Sequence, residues 1–301
     1  MKGDAPQTAW ANAPREGHRA VAALLVGALV WGLIWYPYRI LRDLGVDGVA
    51  ASTATYAIAL VLGLLFFRRP VADFAPSWLL FWLALAAGVC NLGYVLATLN
   101  GNVLRVLLLF YLAPLWTVLL SRLLLDERLD APDGLVIALS LGGAAIMLWQ
   151  PQGGLPLPRD LAEGLGLLAG FAFALFNVLC RRAWQLAMEI RVLAAFVGVV
   201  GLGLLLLLLG VGDWRLPPAA GPVWPLLALV GGVLLLANRI VQFGLTRVAA
   251  NRAIVIMLSE IPVAALAAWL LAGEIPAPRD WLGGSIIVTA SLLSARQAAP
   301  Q

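Results

Sequence analysis

Glu260 is the side chain on which chemistry can turn. It stands about eight residues into the apolar stretch Ala253–Leu271. If that stretch is a helix crossing a bilayer, a rise of 1.5 Å per residue puts the carboxyl about 12 Å deep. An ionised group at such a depth costs roughly 3 kcal/mol on insertion scales. Burial penalises the charged form unless a cation sits beside it. The carboxyl therefore either binds a proton or a substrate ammonium, or it is locked in a structural ion pair. Arg239, at matching depth on the preceding apolar stretch, is the partner expected in the second case.

Other polar side chains interrupt the apolar segments at helical spacing. Asn91 and Tyr94 stand at i, i+3 with Thr98 a turn further, and Asn238 and Gln242 stand at i, i+4. Each set shares one helix face. Facing lipid, amides would go unsatisfied, so these faces point inward, toward a cavity or toward interhelical hydrogen bonds. Asn177, Ser259 and Tyr111 complete the polar candidates for a substrate cavity. Trp31, Trp35 and Trp116 lie deeper than the other tryptophans, as does Tyr111. They would either stack on an aromatic or cationic substrate or fill the core. Trp78, Trp149, Trp184, Trp214, Trp224 and Trp281 fall near segment ends, where an aromatic belt is the usual role. Arg105 lies near the outer end of its segment and is placed to snorkel. Glu127 and Glu274 cap or brace turns at opposite faces.

The elements that must position these residues are membrane helices. Of 301 residues, 62% are apolar and only 12% charged, against roughly 25% charged in a soluble domain. A spanning helix needs about 20 apolar residues, and ten candidate segments are present: 19–38, 48–67, 77–99, 103–125, 134–150, 161–180, 192–211, 223–245, 253–271 and 281–293. The fifth and tenth are short. Residues 1–18 read as a disordered polar tail and 296–301 as a C-terminal tail. The leucine run 202–209 has no polar face and reads as facing lipid. Behind the first segment come Arg39 and Arg42 rather than a small-residue cleavage site, so it reads as a spanning helix and not a signal peptide. With the N-terminus inside, thirteen Lys and Arg residues fall on the inner face and five on the outer. That bias puts both termini in the cytoplasm and accounts for the net charge of +4 without nucleic acid. Cys90 and Cys180 lie inside apolar segments and imply no disulfide framework. The one histidine, His18, lies in the tail, so no metal or cofactor site is expected.

The segment RVLLLFYLAPLWTVLLSRLLLDE (105–127) has a counterpart in AIVIMLSEIPVAALAAWLLAGE (253–274). Each carries a central proline and a terminal glutamate, thirteen residues apart in the first copy and twelve in the second. Pro114 and Pro262 are expected to bend their helices, a defect tolerated in membranes where neighbours satisfy the freed carbonyl. Superposing the prolines pairs Asn91 with Arg239, Tyr94 with Gln242 and Tyr111 with Ser259. Two five-helix halves, 19–150 and 161–295, are joined by the loop 151–160. Five spans per half is odd, so the second half enters the membrane inverted. The resulting fold is an all-α membrane protein of two inverted five-helix repeats, with its site near the midplane.

The WGLIW of the first helix, LAPLWTVLLSRLLLDERL, SEIPVAALAAWLLAGE and the five-plus-five layout resemble the EamA-type drug/metabolite transporter superfamily, over residues 19–295. Within it the chain looks most like the aromatic amino acid exporter branch. The resemblance implies a bacterial inner-membrane secondary transporter that exports small metabolites, amino acids including aromatic ones. Its partners are that substrate and the bilayer, with no nucleic acid, and the resemblance is compatible with a monomer without fixing the oligomeric state. Drug, nucleobase and nucleotide-sugar carriage are the other substrate classes of the superfamily. A membrane-embedded transferase is the competing class, but the loops are short and the one acidic cluster, DERLDAPD at 126–133, is broken by arginine and leucine. Without a Walker-type Gly-rich motif, nothing in the chain provides for ATP, and no enzyme activity is expected.

Overall fold

A computed structural model of the chain describes residues 13–67, 77–100, 106, 109–127, 130–148, 158–213, 221–273 and 275–298. Residues 1–12, Arg105, Trp149, 151–157, Trp214 and Glu274, named above, lie outside them. Among the described residues every regular element is a helix.

The first half comprises α1 (Ala13–Leu33), α2 (Trp35–Asp43), α3 (Gly48–Phe66), α4 (Trp78–Asn100), α5 (Ala113–Leu125) and α6 (Ala131–Leu148). The second comprises α7 (Leu161–Arg182), α8 (Met188–Leu208), α9 (Val223–Leu245), α10 (Ala250–Met257), α11 (Glu260–Ala272) and α12 (Pro278–Ala298). Among the described residues seven helical runs are long and apolar enough to cross a bilayer, and Ala113–Leu125, Ala131–Ile146 and Trp281–Ala290 are shorter apolar helices.

Local chemistry fixes several boundaries. Asp47 caps α3 by accepting from the Val49 and Ala50 amides at 2.9 and 3.1 Å. Asp160 accepts from the Glu163 amide at 2.8 Å while the Glu163 carboxylate accepts from the Arg159 amide at 2.9 Å. The first bond satisfies an orphan amide of the first turn of α7, and the second anchors the chain just ahead of the cap. Helix α5 ends on Asp126, whose φ of 55° turns the chain out of the helix.

Four expectations change. Helix α1 starts at Ala13, inside the stretch read as a disordered tail, and it ends at a turn at Ile34 rather than running on to Tyr38. Helices α6 and α12 begin ahead of the fifth and tenth apolar segments, and α12 runs on past the tenth, while their apolar parts, Ala131–Ile146 and Trp281–Ala290, are as short as read. Neither Pro114 nor Pro262 bends a continuous helix. Both stand in the first turn of a new helix, α5 and α11, after a break at Tyr111–Leu112 or Leu258–Ser259. A first-turn amide has no intrahelical acceptor, so a proline there removes no bond. The chain bridges the breaks with tighter i→i−3 bonds, Leu112 to Leu109 at 3.3 Å and Ser259 to Ile256 at 3.2 Å.

Packing follows one exchange rule. Helix α4 packs on α7 as α9 packs on α1; α4 packs on α8 as α9 packs on α3; α7 packs on α5 as α1 packs on α11. The pairs α3·α8 and α6·α12 map onto themselves when the halves are swapped. The main core gathers Leu24, Tyr56, Phe196 and Leu234, and a smaller cluster holds Phe110, Tyr111, Leu258 and Ile261 at the two breaks. Leu204, Leu205, Leu208 and Leu209 are exposed on the outside of α8, and Trp78, Trp184, Trp224 and Trp281 are exposed at helix ends.

Candidate functional site

The two breaks meet. Tyr111 is the first turn residue of the first break, and Glu260 is the first residue of α11 after the second. The Tyr111 hydroxyl donates to Glu260 Oε1 at 2.8 Å. Glycines allow the approach from the neighbouring helices. Pro114 cannot donate to the Phe110 carbonyl four residues back, and Gly170 of α7 lies directly against that oxygen. Gly32 of α1 does the same at the second break: a Cβ there would stand 2.9 Å from the Glu260 carbonyl and 2.7 Å from Val263 Cγ1.

Aromatic and weakly polar groups surround the carboxylate. Tyr94 and Phe110 meet edge to face at 5.3 Å, and Phe110 lies 5.5 Å from Phe173 of α7. Cys90 and Tyr94 pack on this cluster. The polar path continues outward. Asn91 Nδ2 donates to the Tyr56 hydroxyl at 3.3 Å, Tyr56 stacks edge-on against Phe196 at 5.7 Å, and the Tyr38 hydroxyl lies 2.6 Å from Thr55 Oγ1. Glu260, Asn91 and Tyr94 are half-buried, and Tyr111 is buried. The positive end of the α11 dipole favours the carboxylate at its first residue. Asn91 Oδ1 and, one turn past Phe173, Asn177 Nδ2 are buried without a protein partner.

The Arg239–Glu260 pair does not form. Arg239 meets Glu189 at 3.5 Å and lies over the Phe67 ring at 5.2 Å, on the outer side of α9. Equal depth along two helices says nothing about which way each side chain points around its axis. The second-half amides are also placed differently from the first. Asn238 Nδ2 returns to the Leu234 carbonyl at 2.9 Å, and Gln242, 1% exposed, donates to Cys180 Sγ at 2.8 Å. Gln242 Oε1 is buried without a protein partner, and the Ser259 hydroxyl donates to the Ile256 carbonyl at 2.7 Å. Trp31 packs half-buried beside Gly32 against the main core, and Trp35 meets Tyr36 edge-on at 5.6 Å in α2. Trp116 packs edge-on against Phe171 at 5.6 Å. Cys90, Phe110, Phe173 and Tyr56 were not singled out from sequence. A single aromatic or thiol in an apolar helix carries no signal until the helices that face it are known.

A second polar cluster closes one face of the bundle. Glu127 Oε1 accepts from Arg181 Nε at 2.9 Å, and Oε2 accepts from the Ala250 amide at the start of α10 at 3.1 Å. Arg181 also donates to the Thr246 carbonyl at 3.0 Å, and Arg252 pairs with Asp133 at 3.0 Å. These bonds tie the ends of α5, α7 and α9 together. Among the described residues no group of three His, Cys, Asp or Glu side chains is placed to hold a metal.

The EamA-like transporter family model matches residues 18–149 and again 161–296. The chain belongs to the EamA-like transporter family. An uncharacterized transporter of Archaeoglobus fulgidus is 25% identical over 293 residues, covering 96% of this chain and 99% of its own. Another, from Pseudomonas aeruginosa, is 28% identical over 166 residues, 53% of each chain. A crystal structure with 17% identity superposes with a TM-score of 0.76 over 93% of this chain and 99% of that one, which extends the likeness to the fold. This EamA-family chain is thus a multi-pass membrane transporter.

Proposed function

We propose that this EamA-family transporter exports small amine-bearing metabolites, amino acids including aromatic ones foremost, by alternating access around Glu260. The observation that carries the proposal is the Tyr111–Glu260 bond. It places a carboxylate at the crossing of two helix breaks, where unwound backbone and a helix terminus are available to a substrate. Among the described residues no Lys or Arg pairs with Glu260; its hydrogen-bond partner is a neutral phenol. An ammonium group or a proton supplies the missing positive charge. Tyr94, Phe110 and Phe173 offer ring faces and edges to an aromatic side chain.

The double family match and the exchange rule in helix packing support two repeats. Ten spans, formed when the broken segments 103–125 and 253–271 are each counted as one, put the second repeat in inverted orientation. The arginine bias then favours cytoplasmic termini in an inner membrane. Rocking of one repeat against the other would open the Glu260 site to each side in turn, a motion that works in a monomer.

A cationic drug is the second reading, favoured by the same aromatic carboxylate site. A nucleotide sugar fits less well, because its phosphates would meet a carboxylate there and no guanidinium among the described residues. Purified protein in liposomes, loaded with labelled amino acids, amines or nucleotide sugars in separate preparations, tests the assignment. Exchange of Phe or Trp by wild type, lost in a well-folded Glu260→Gln protein, is expected. Exchange confined to nucleotide sugars would overturn it.

A further inference from the structure

An open groove of about 1080 Å³ lies on the outside of the bundle between α3 and α9, away from Glu260. Its walls are apolar: Leu65, Phe66, Leu229 and Leu236 are all more than half exposed. On a membrane protein this surface faces hydrocarbon. Polarity is confined to one end. There α3 finishes at Phe66 with Phe67 as its C-cap, α8 begins with Glu189 as its second residue, and Arg239 stands six residues before the end of α9. At 1.5 Å per residue, that is about 9 Å from the helix end, within reach of the headgroup layer for an arginine side chain.

We propose that this groove is a binding site for a membrane phospholipid whose headgroup carries both a phosphate and a primary ammonium, as in phosphatidylethanolamine. The acyl chains lie along the leucine walls, the phosphate is taken by the Arg239 guanidinium and the ammonium by the Glu189 carboxylate. The charges are complementary in pairs. Arg239 and Glu189 are 3.5 Å apart, with their side chains 48% and 21% exposed, so a headgroup can engage both. Arginine offers five N–H donors, and among the described residues its charge is met by one carboxylate oxygen and the face of Phe67. Choline has no N–H to give Glu189. A glycerol headgroup leaves the carboxylate facing net negative charge. The site therefore discriminates by headgroup and not by acyl chain.

The test uses the full-length protein, stripped of lipid in detergent and offered phosphatidylethanolamine, phosphatidylcholine or phosphatidylglycerol with identical chains. Native mass spectrometry counts the lipid retained, and the unfolding midpoint is read alongside. Wild type is expected to retain phosphatidylethanolamine about tenfold better than either other lipid, the scale of one charge-assisted hydrogen bond. Glu189→Gln should shift the preference to phosphatidylglycerol, and Arg239→Gln should lower retention of all three. Gly232 lines the groove, and a Cβ built on it meets nothing within 4 Å. Gly232→Leu therefore fills the groove without disturbing the fold and should reduce retention to background at an unchanged midpoint. Equal retention of the three lipids by wild type, a wild-type preference for either of the others, or full retention by Gly232→Leu overturns the proposal.

Discussion

The Tyr111 hydroxyl and the Glu260 carboxylate, 149 positions apart in the chain, meet at 2.8 Å. Each belongs to a break in its own helix, and the two helices belong to different halves. The bond is thus a direct link between the two halves of the chain at the place where both backbones leave the helix.

Glu260→Gln is expected to fold normally, since no buried arginine is left unpaired by it. It should lose transport, or lose the pH dependence of transport, in proteoliposomes. Tyr111→Phe keeps the ring and removes one bond to a charged group, worth about 1.5–3 kcal/mol, so transport should fall while the protein remains folded. Wild-type transport with an unaltered pH profile in Glu260→Gln would remove the carboxylate from the mechanism.

Arg239 and Glu260 have separate partners, so their effects should add. In a double-mutant cycle on unfolding free energy, the coupling between Arg239→Gln and Glu260→Gln should stay within about 0.5 kcal/mol. Arg239→Gln alone should cost no more than about 1 kcal/mol, as for an exposed pair. A coupling of several kcal/mol would restore the pair that depth alone suggested.

Glycine substitutions should separate by place. Gly32→Ala and Gly170→Ala force a methyl against the carbonyls of Glu260 and Phe110 and should destabilise by about 1–3 kcal/mol. Gly142→Ala, in α6 with nothing within 4 Å of the added carbon, should be neutral or stabilise by up to about 1 kcal/mol. Thermal unfolding in one detergent ranks the three, and a Gly170→Ala protein as stable as Gly142→Ala would mean that the break is not tightly packed.

Glu127 serves two donors from different segments, Arg181 Nε and the Ala250 amide. Glutamine has only one acceptor oxygen. Glu127→Gln should therefore lower the unfolding midpoint, and Glu127→Ala should lower it further. Identical midpoints for wild type and the alanine variant would show that the cluster does not brace that face.

Topology is open to a direct check. Reporter fusions at Gln301 and within 151–160 should give opposite sides, the former cytoplasmic. The same side for both would contradict the ten-span inverted arrangement.

The sequence by itself determined the solvent and the candidates. An apolar content of 62% with 12% charge demands membrane helices whatever their packing. The paired prolines marked two equivalent interruptions, and a lone glutamate in an apolar segment drew attention to Glu260. These signals are local, carried by composition and by spacing along one helix. The tertiary structure decided what each side chain faces. Rotation about a helix axis separates Arg239 from Glu260 at similar depth, turns Gln242 to Cys180, and brings Tyr111 to the carboxylate. It also decided that the prolines start new helices and do not bend old ones, because Gly32 and Gly170 let neighbouring backbones close on the breaks. Such choices depend on the summed packing of several helices, and one helix read alone, with its period of 3.6 residues, does not contain them.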